Sequence, residues 1–268
     1  VTAAATAPEG LQPVVLGADI GVYALARAFH EEYGVRSVVV SGAALGPVAD
    51  SAILDNVLVA DGHDPRQLVD ALLRVAREHA GRRLVLLANS DWLVRVVVQH
   101  RAELEPHYVV PFLSEDLLDR LSDKATFAEI ATDLGLAVPR TIVQDFALAD
   151  DPAWAPAGVD VAYPLIAKAA SSADYQEVEF AGKKKVFEIG TPAELAALWE
   201  SLRAAGFRGR FVVQELIPGD DTQMRSITAY VDSHGEITLL CSAHVLLEEH
   251  TPSGLGNPAA MVVTREQE

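Results

Sequence analysis

The sequence predicts an α/β domain built on an open parallel sheet, followed by an α+β domain. Three observations carry this expectation. Over residues 1–115, short apolar or β-branched runs alternate with segments of helical period, the pattern of a parallel sheet covered on both faces. Over residues 116–268, helices come first and strands joined by tight turns follow, without that alternation. The 268 residues are 50% hydrophobic and 22% charged, which suits about two domains with cores of their own.

In chain order, Val1 to Gly10 is small and apolar without Lys or Arg, and reads as a frayed tail rather than a signal peptide. Gln12 to Leu16 is a strand-like run ending at Gly17. A helical pattern then spans Val22 to Tyr33 and stops at Gly34. Val35 to Ser41 and Ile53 to Ala60 read as strands, Pro65 to His79 as a helix, and Arg83 to Ala88 as a strand. Asp91 to Ala102 has helical spacing, and Tyr108 to Pro111 is a short strand. Beyond it, helices are expected over Ser114 to Leu121 and from Ser122-Asp123 to Leu134, ending at Gly135. A strand follows Val138-Pro139-Arg140-Thr141, and Asp150 to Gly158 reads as a loop. Tyr163 to Ala169 is a strand, and Glu177 to Ile189 reads as a hairpin with Gly182 near its turn. Thr191-Pro192-Ala193-Glu194 carries the cap-and-proline signature of a helix running to Ala205. Phe211 to Ile217, Arg225 to Val231 and Ile237 to Leu247 are expected strands of an antiparallel sheet. No internal repeat or low-complexity segment interrupts the pattern.

The net charge of −17 excludes a nucleic-acid grip, which needs surplus cations to displace counterions from phosphates. An anionic ligand would have to be held by a few well-placed cations and backbone N–H groups. No apolar run reaches the length of a membrane span. A single cysteine, Cys241, rules out an internal disulfide and fits a reducing, cytoplasmic compartment.

Several stretches carry candidate chemistry. Gly17-Ala18-Asp19-Ile20-Gly21 joins a strand to a helix, but it lacks the glycine spacing of a dinucleotide site and Asp19 would repel phosphate. It reads as a structural turn or an acceptor-substrate site. Lys124 opens a helix and Lys168 closes an apolar strand. Taken singly, each lysine reads as the solvated end of its element; together they read as a pair that needs an anionic partner, and polyphosphate is one. Val212 to Gly219, with Gln214, Glu215 and Ile217, runs into a Pro-Gly turn whose backbone groups could read an adenine edge, with Asp220 or Asp221 on ribose hydroxyls. The alternative is an ordinary hairpin with a solvated acidic tip. Lys183-Lys184-Lys185 reads as a solvated tip, or as a flap closing over phosphates. His244 to Asn257 ends a strand in acidic and imidazole groups and a glycine-containing loop. It reads as a substrate loop rather than a metal site, since adjacent Glu249 and His250 on a strand face opposite ways.

In this order the motifs resemble the ATP-grasp superfamily: Asp-Lys at a helix start, Gly-Leu-Ala-Val-Pro, Tyr-Pro-Leu-Ile-Ala-Lys and Gln-Glu-Leu-Ile-Pro-Gly. The superfamily pattern covers about residues 11–263. Asp174-Tyr175 with Phe180 to Phe187, Ile217 to Arg225 and His244 to Asn257 are similar to the D-aspartate ligase type of carboxylate–amine ligase, over about 163–263. The resemblance implies a pre-ATP-grasp domain over 1–115. It implies an ATP-grasp domain over 116–268, with a small lobe near 120–213 and the start of a large lobe. It places Lys124 and Lys168 on ATP phosphates, and Glu215 and Ile217 with Gln214 at the adenine. Asp220 or Asp221 falls near the ribose. Arg225, His250-Thr251 and Asn257 fall near the carboxylate or its acyl phosphate. The implied reaction uses ATP and Mg²⁺ to join a small amino-acid carboxylate, D-aspartate, to an amine-bearing cell-wall peptide through an acyl phosphate. The alternatives are an ATP-grasp amino-acid or dipeptide ligase of another pathway and a non-catalytic nucleotide-binding domain.

One departure matters. The E-I-N-P-R motif that supplies Mg²⁺ ligands in such enzymes does not occur here. The expectation is therefore a chain that stops short of its metal ligands, turns over little by itself and shows an exposed sheet edge or apolar face.

Overall fold

A computed structural model describes residues 8–264 apart from residues 177 and 253. The chain divides into two compact units, Val1–Asp119 and Arg120–Glu268.

The first unit runs β1 (Leu11–Leu16), α1 (Ile20–Tyr33), β2 (Ser37–Ser41), β3 (Leu54–Leu58), α2 (Pro65–Glu78), β4 (Arg83–Ala88), α3 (Asp91–Gln99), α4 (Arg101–Leu104), β5 (Tyr108–Val109) and, across the boundary, α5 (Glu115–Ser122). Its five strands lie in the order β3-β2-β1-β4-β5, and all pairs are parallel. Every residue of β1 is buried, as a strand covered on both faces requires. Val14 and Leu16 pack into one core with α2 and α3, while Val15 enters a second core with Val22 and Ala26 of α1. The period-2 alternation of a strand thus feeds two helical layers.

Two boundaries depart from expectation. The helix over Asp91 to Ala102 breaks at His100, whose φ of −106° and ψ of 21° leave the helical basin while its ring nitrogen Nδ1 sits 2.9 Å from the Val96 carbonyl. The tail ends earlier than expected. Residues 1–7 lie outside the described residues, but Leu11 N donates to Pro8 O and Arg83 N donates to Gly10 O, so Gly10 already joins the sheet.

The second unit runs α6 (Lys124–Asp133), β6 (Thr141–Asp145), β7 (Leu165–Ala169), α7 (Ser172–Gln176), β8 (Phe187–Ile189), α8 (Pro192–Ala204), β9 (Arg210–Glu215), β10 (Arg225–Val231), β11 (Ile237–Glu248) and β12 (Pro258–Thr264). Strands β6-β9-β7-β8 form one antiparallel sheet and β10-β11-β12 another. In β7, Leu165, Ala167 and Ala169 are buried while Ile166 and Lys168 are half-buried. The first set packs with α8 and the rings of Phe146, Phe207 and Phe211. On the other side, Val212 packs with Ala125 of α6 and Ala170.

The hairpin expected over Glu177 to Ile189 does not form. Only Phe187–Ile189 is a strand, residues 178–186 are a loop, and residue 177 lies outside the described residues. Phe180 is stacked on Phe187 at 6.4 Å, and the Tyr175 hydroxyl donates to the Lys184 carbonyl at 2.9 Å, which takes this backbone out of a ladder. Strand β12 was not anticipated. It completes a sheet on which Ile227, Leu239 and Val263 are each more than half exposed, so the expected exposed apolar surface is present there.

Candidate functional site

Lys124 and Lys168, 44 residues apart in sequence, line one cavity of about 690 Å³ in the second unit. Such a volume lies within the range of small-molecule sites. Helix α6 brings Lys124 there. Asp123 caps it by accepting from Thr126 N at 2.8 Å, and Arg210 holds the same carboxylate at 2.9 Å. Lys124 N donates to the carbonyl of Ala170, just past β7, at 3.1 Å. The helix start is thereby pinned beside the end of the strand that carries Lys168.

Lys183, Lys184 and Lys185 line the same cavity, with Glu179 the one carboxylate among its described residues. The chain holds 21 Lys and Arg, of which five are lysine, and all five lysines are on this cavity. Arginine carries the positive charge everywhere else. This use of lysine was available in the sequence as a signal, and it unites the triad with Lys124 and Lys168. Lys183 pairs with Glu179 at 2.9 Å and sits 5.1 Å from the Tyr175 ring centre. Lys168 is held below the ordinary lysine pKa, first by burial and then by the charges of Lys124 and Lys185. A polyanion entering here would relieve that repulsion.

The strand end proposed for adenine is built differently from expectation in one respect. Glu215 N is not unpaired: it donates to Arg140 O at 3.3 Å, while Arg140 N donates to the Glu215 carboxylate at 3.1 Å. Gln214 donates to Thr141 Oγ1 at 2.7 Å. Ile217 is exposed, and its N–H meets no backbone carbonyl among the described residues. None of these three residues lines the lysine cavity.

Asp220, Asp221, Arg225 and His250 form a separate cluster. Asp220 caps the turn Asp221–Gln223 by accepting from Thr222 N at 3.0 Å. Asp221 Oδ2 accepts from Glu248 N at 2.9 Å and lies 2.8 Å from His250 Nε2. Its carboxylate is committed to the β11–β12 loop rather than open to a ribose. Arg225 donates to the carbonyls of Thr222 and Met224, so its guanidinium folds back on its own turn. Asn257 does reach the cavity wall: Lys185 Nζ donates to its Oδ1 at 2.7 Å.

The His250–Asp221 pair sets a pH window. Its hydrogen bond to Asp221 raises His250 above the ordinary 6.5, and the Glu248 N–H, followed by His250, lowers Asp221 below the ordinary 3.8. The histidine's contribution to docking this loop is full below 6.5 and fades as pH rises through its elevated pKa. The aspartate's contribution is full above 3.8 and fades as pH falls through its depressed pKa. An NMR titration should place the His250 midpoint above 6.5, and Asp221→Asn should move it down; a midpoint indifferent to Asp221 would refute the pair.

In the first unit, Asp19 caps α1 and accepts from the Asn89 side chain at 2.7 Å. A Cβ on Gly21 would lie 2.3 Å from that amide, so the glycine serves close packing in a structural turn. No group of three or more His, Cys, Asp or Glu among the described residues is placed to hold a metal. No helix among them is long and apolar enough to cross a membrane.

No family model matches the chain. It is 33% identical, over 254 residues and 93% of its length, to D-aspartate ligase of Enterococcus faecium (strain Aus0004). It spans 60% of the length of that curated relative. Among solved structures, it resembles the L-amino acid ligase of Bacillus licheniformis with a TM-score of 0.60 and 13% identity, covering 94% of this chain and 55% of that one. It also resembles N5-carboxyaminoimidazole synthetase of Staphylococcus aureus complexed with ADP, with a TM-score of 0.58 and 16% identity, covering 92% and 57%. The chain is thus similar in sequence to D-aspartate ligase along most of its own length and shares the fold of these solved ligases, in keeping with the resemblance carried by its motifs.

Proposed function

We propose that this chain is the nucleotide-binding portion of an ATP-dependent carboxylate–amine ligase, with D-aspartate as the acid and a cell-wall peptide amine as the acceptor. In this reading residues 1–115 are the pre-ATP-grasp domain and 116–268 belong to the ATP-grasp domain. The convergence of every lysine on one cavity, in a chain of net charge −17, carries the proposal. Lysine is a mobile point charge suited to phosphate oxygens. Lys124 and Lys168 hold the phosphates. Lys168 is in register with Val212, three residues before Glu215, so the base end of the site lies about 10 Å further along β9. There the Ile217 N–H and the Glu215 carbonyl face the adenine, beside Gln214, with Asp220 nearer the ribose than the engaged Asp221.

The acid's carboxylate oxygen attacks the γ-phosphorus of ATP, the bond to ADP breaks, and an acyl phosphate forms. The amine nitrogen then attacks the acyl carbon, phosphate leaves with the bonding pair, and the nitrogen loses a proton. The lysines act by positioning and by neutralising charge on the transferred group. Arg225, His250-Thr251 and Asn257 border the acid's side of the reaction. Mg²⁺ takes oxygen donors. Among the described residues the cavity's one carboxylate, Glu179, is already paired with Lys183, so these residues do not fit the ion and none is assigned to it.

The test is phosphate release from ATP by the full-length protein across a panel of D- and L-amino acids. Stimulation by D-aspartate supports the reading, stimulation by another acid alone reassigns the substrate, and no ATP binding at all sinks it.

A further inference from the structure

The lysine-bearing loop 178–186 and the β11–β12 loop are tied together at two points. Lys185 N donates to the Pro252 carbonyl at 2.9 Å, and Lys185 Nζ donates to Asn257 Oδ1 at 2.7 Å. Each loop is anchored on its far side. Lys184 O accepts from Tyr175, a residue of the aromatic core. Asn257 O accepts from Glu249 N and Asn257 N donates to Gly254 O, each at 2.9 Å, so Asn257 is fixed by its own loop's backbone. Gly254 permits this fold, since a Cβ there would sit 2.0 Å from the Glu249 carboxyl carbon. Lys185 is therefore tied on one side to the Tyr175-anchored backbone and on the other to the β11–β12 loop, and it lines the cavity that Lys124 and Lys168 share.

We propose that Asn257 is a positioning residue: it acts through Lys185, holding that ammonium for the nucleotide phosphates, and so couples the β11–β12 loop to occupancy of the phosphate cavity. This rests on the ATP reading above. It changes the part given to Asn257, from bordering the acid to orienting a cation. A hydrogen bond to a charged group contributes about tenfold or more to an equilibrium.

The experiment is a double-mutant cycle on ATP affinity in the full-length protein, measured calorimetrically. Lys185→Ala and Asn257→Ala should each weaken ATP binding about tenfold, and the double variant should be no weaker than either. Asn257→Leu, which keeps the size of the side chain but not the acceptor oxygen, should be as weak as Asn257→Ala. Additive losses of about a hundredfold in the double variant, single variants that bind normally, or an Asn257→Leu variant that binds as the wild type does would each overturn the coupling. Wild-type protein that ignores ATP, with Lys168→Ala also without effect, would instead sink the ligase reading; a wild type that binds ATP with an additive cycle sinks only the coupling.

Discussion

Replacing Lys168 with alanine is expected to reduce ATP-dependent turnover of the full-length protein by at least about 100-fold while the fold survives. The side chain is half-buried in β7, beside Lys124 and Lys185, and its ammonium is destabilised there by burial and like charge. A group kept in so unfavourable a place gains most when an anion arrives, and removing it costs the folded protein little. Circular dichroism should therefore be unchanged while phosphate release falls. Turnover within a few-fold of wild type would remove the phosphate role from this residue and with it the main support for the cavity as a nucleotide site.

The largest expected effect on stability is at Phe211. Phe211 is fully buried, and its ring meets those of Trp199, Tyr175 and Phe207 at centroid distances of 5.6, 5.7 and 5.9 Å. All three crossings are edge-to-face, a favoured geometry for aromatic pairs. Phe211→Ala should cost about 3–5 kcal/mol, read from urea unfolding followed by the fluorescence of the adjacent Trp199. A loss under about 1 kcal/mol would mean the ring cluster is not the core of this unit. Phe211→Leu should cost less, because it keeps most of the volume. The same change reaches the cavity, since Tyr175 both packs on Phe211 and holds the Lys184 carbonyl. Burial pushes the Tyr175 phenol up to about 12, so its hydroxyl remains a donor at neutral pH.

Elements set by local chemistry were legible in the sequence. The strand Arg83–Ala88 and the helix opened by Thr191-Pro192 came directly from periodicity and caps, because the residues that start and stop them act on their own backbone. Strand β12 was not legible: Pro258 and two alanines give no β-branched run, and its pairing with β11 is a non-local event. The hairpin over Glu177 to Ile189 was misread because the fate of Phe180 and Lys184 is decided by Phe187 and Tyr175 across the loop. For the candidate site, residue types pointed to Lys124 and Lys168, but their meeting depends on the Lys124 N–H to Ala170 carbonyl bond, which no spacing rule contains. Asp221 shows the converse. Its place after a Pro-Gly turn invited a sugar, whereas the fold spends its carboxylate on Glu248 and His250.

The restriction of lysine to one cavity has a chemical consequence for anyone handling this protein. Along positions 1–268 the side-chain primary amines number five, so an acylating or reductively alkylating reagent has no bystander side chain to consume it. Lys168, whose pKa is lowered by burial and by the neighbouring ammonium groups, is one nucleophile of the set. Amine-directed dyes and crosslinkers that attach to side chains in positions 1–268 therefore report on the surroundings of this cavity, and protection of Lys168 by a bound anion is the readout that tells whether it is filled.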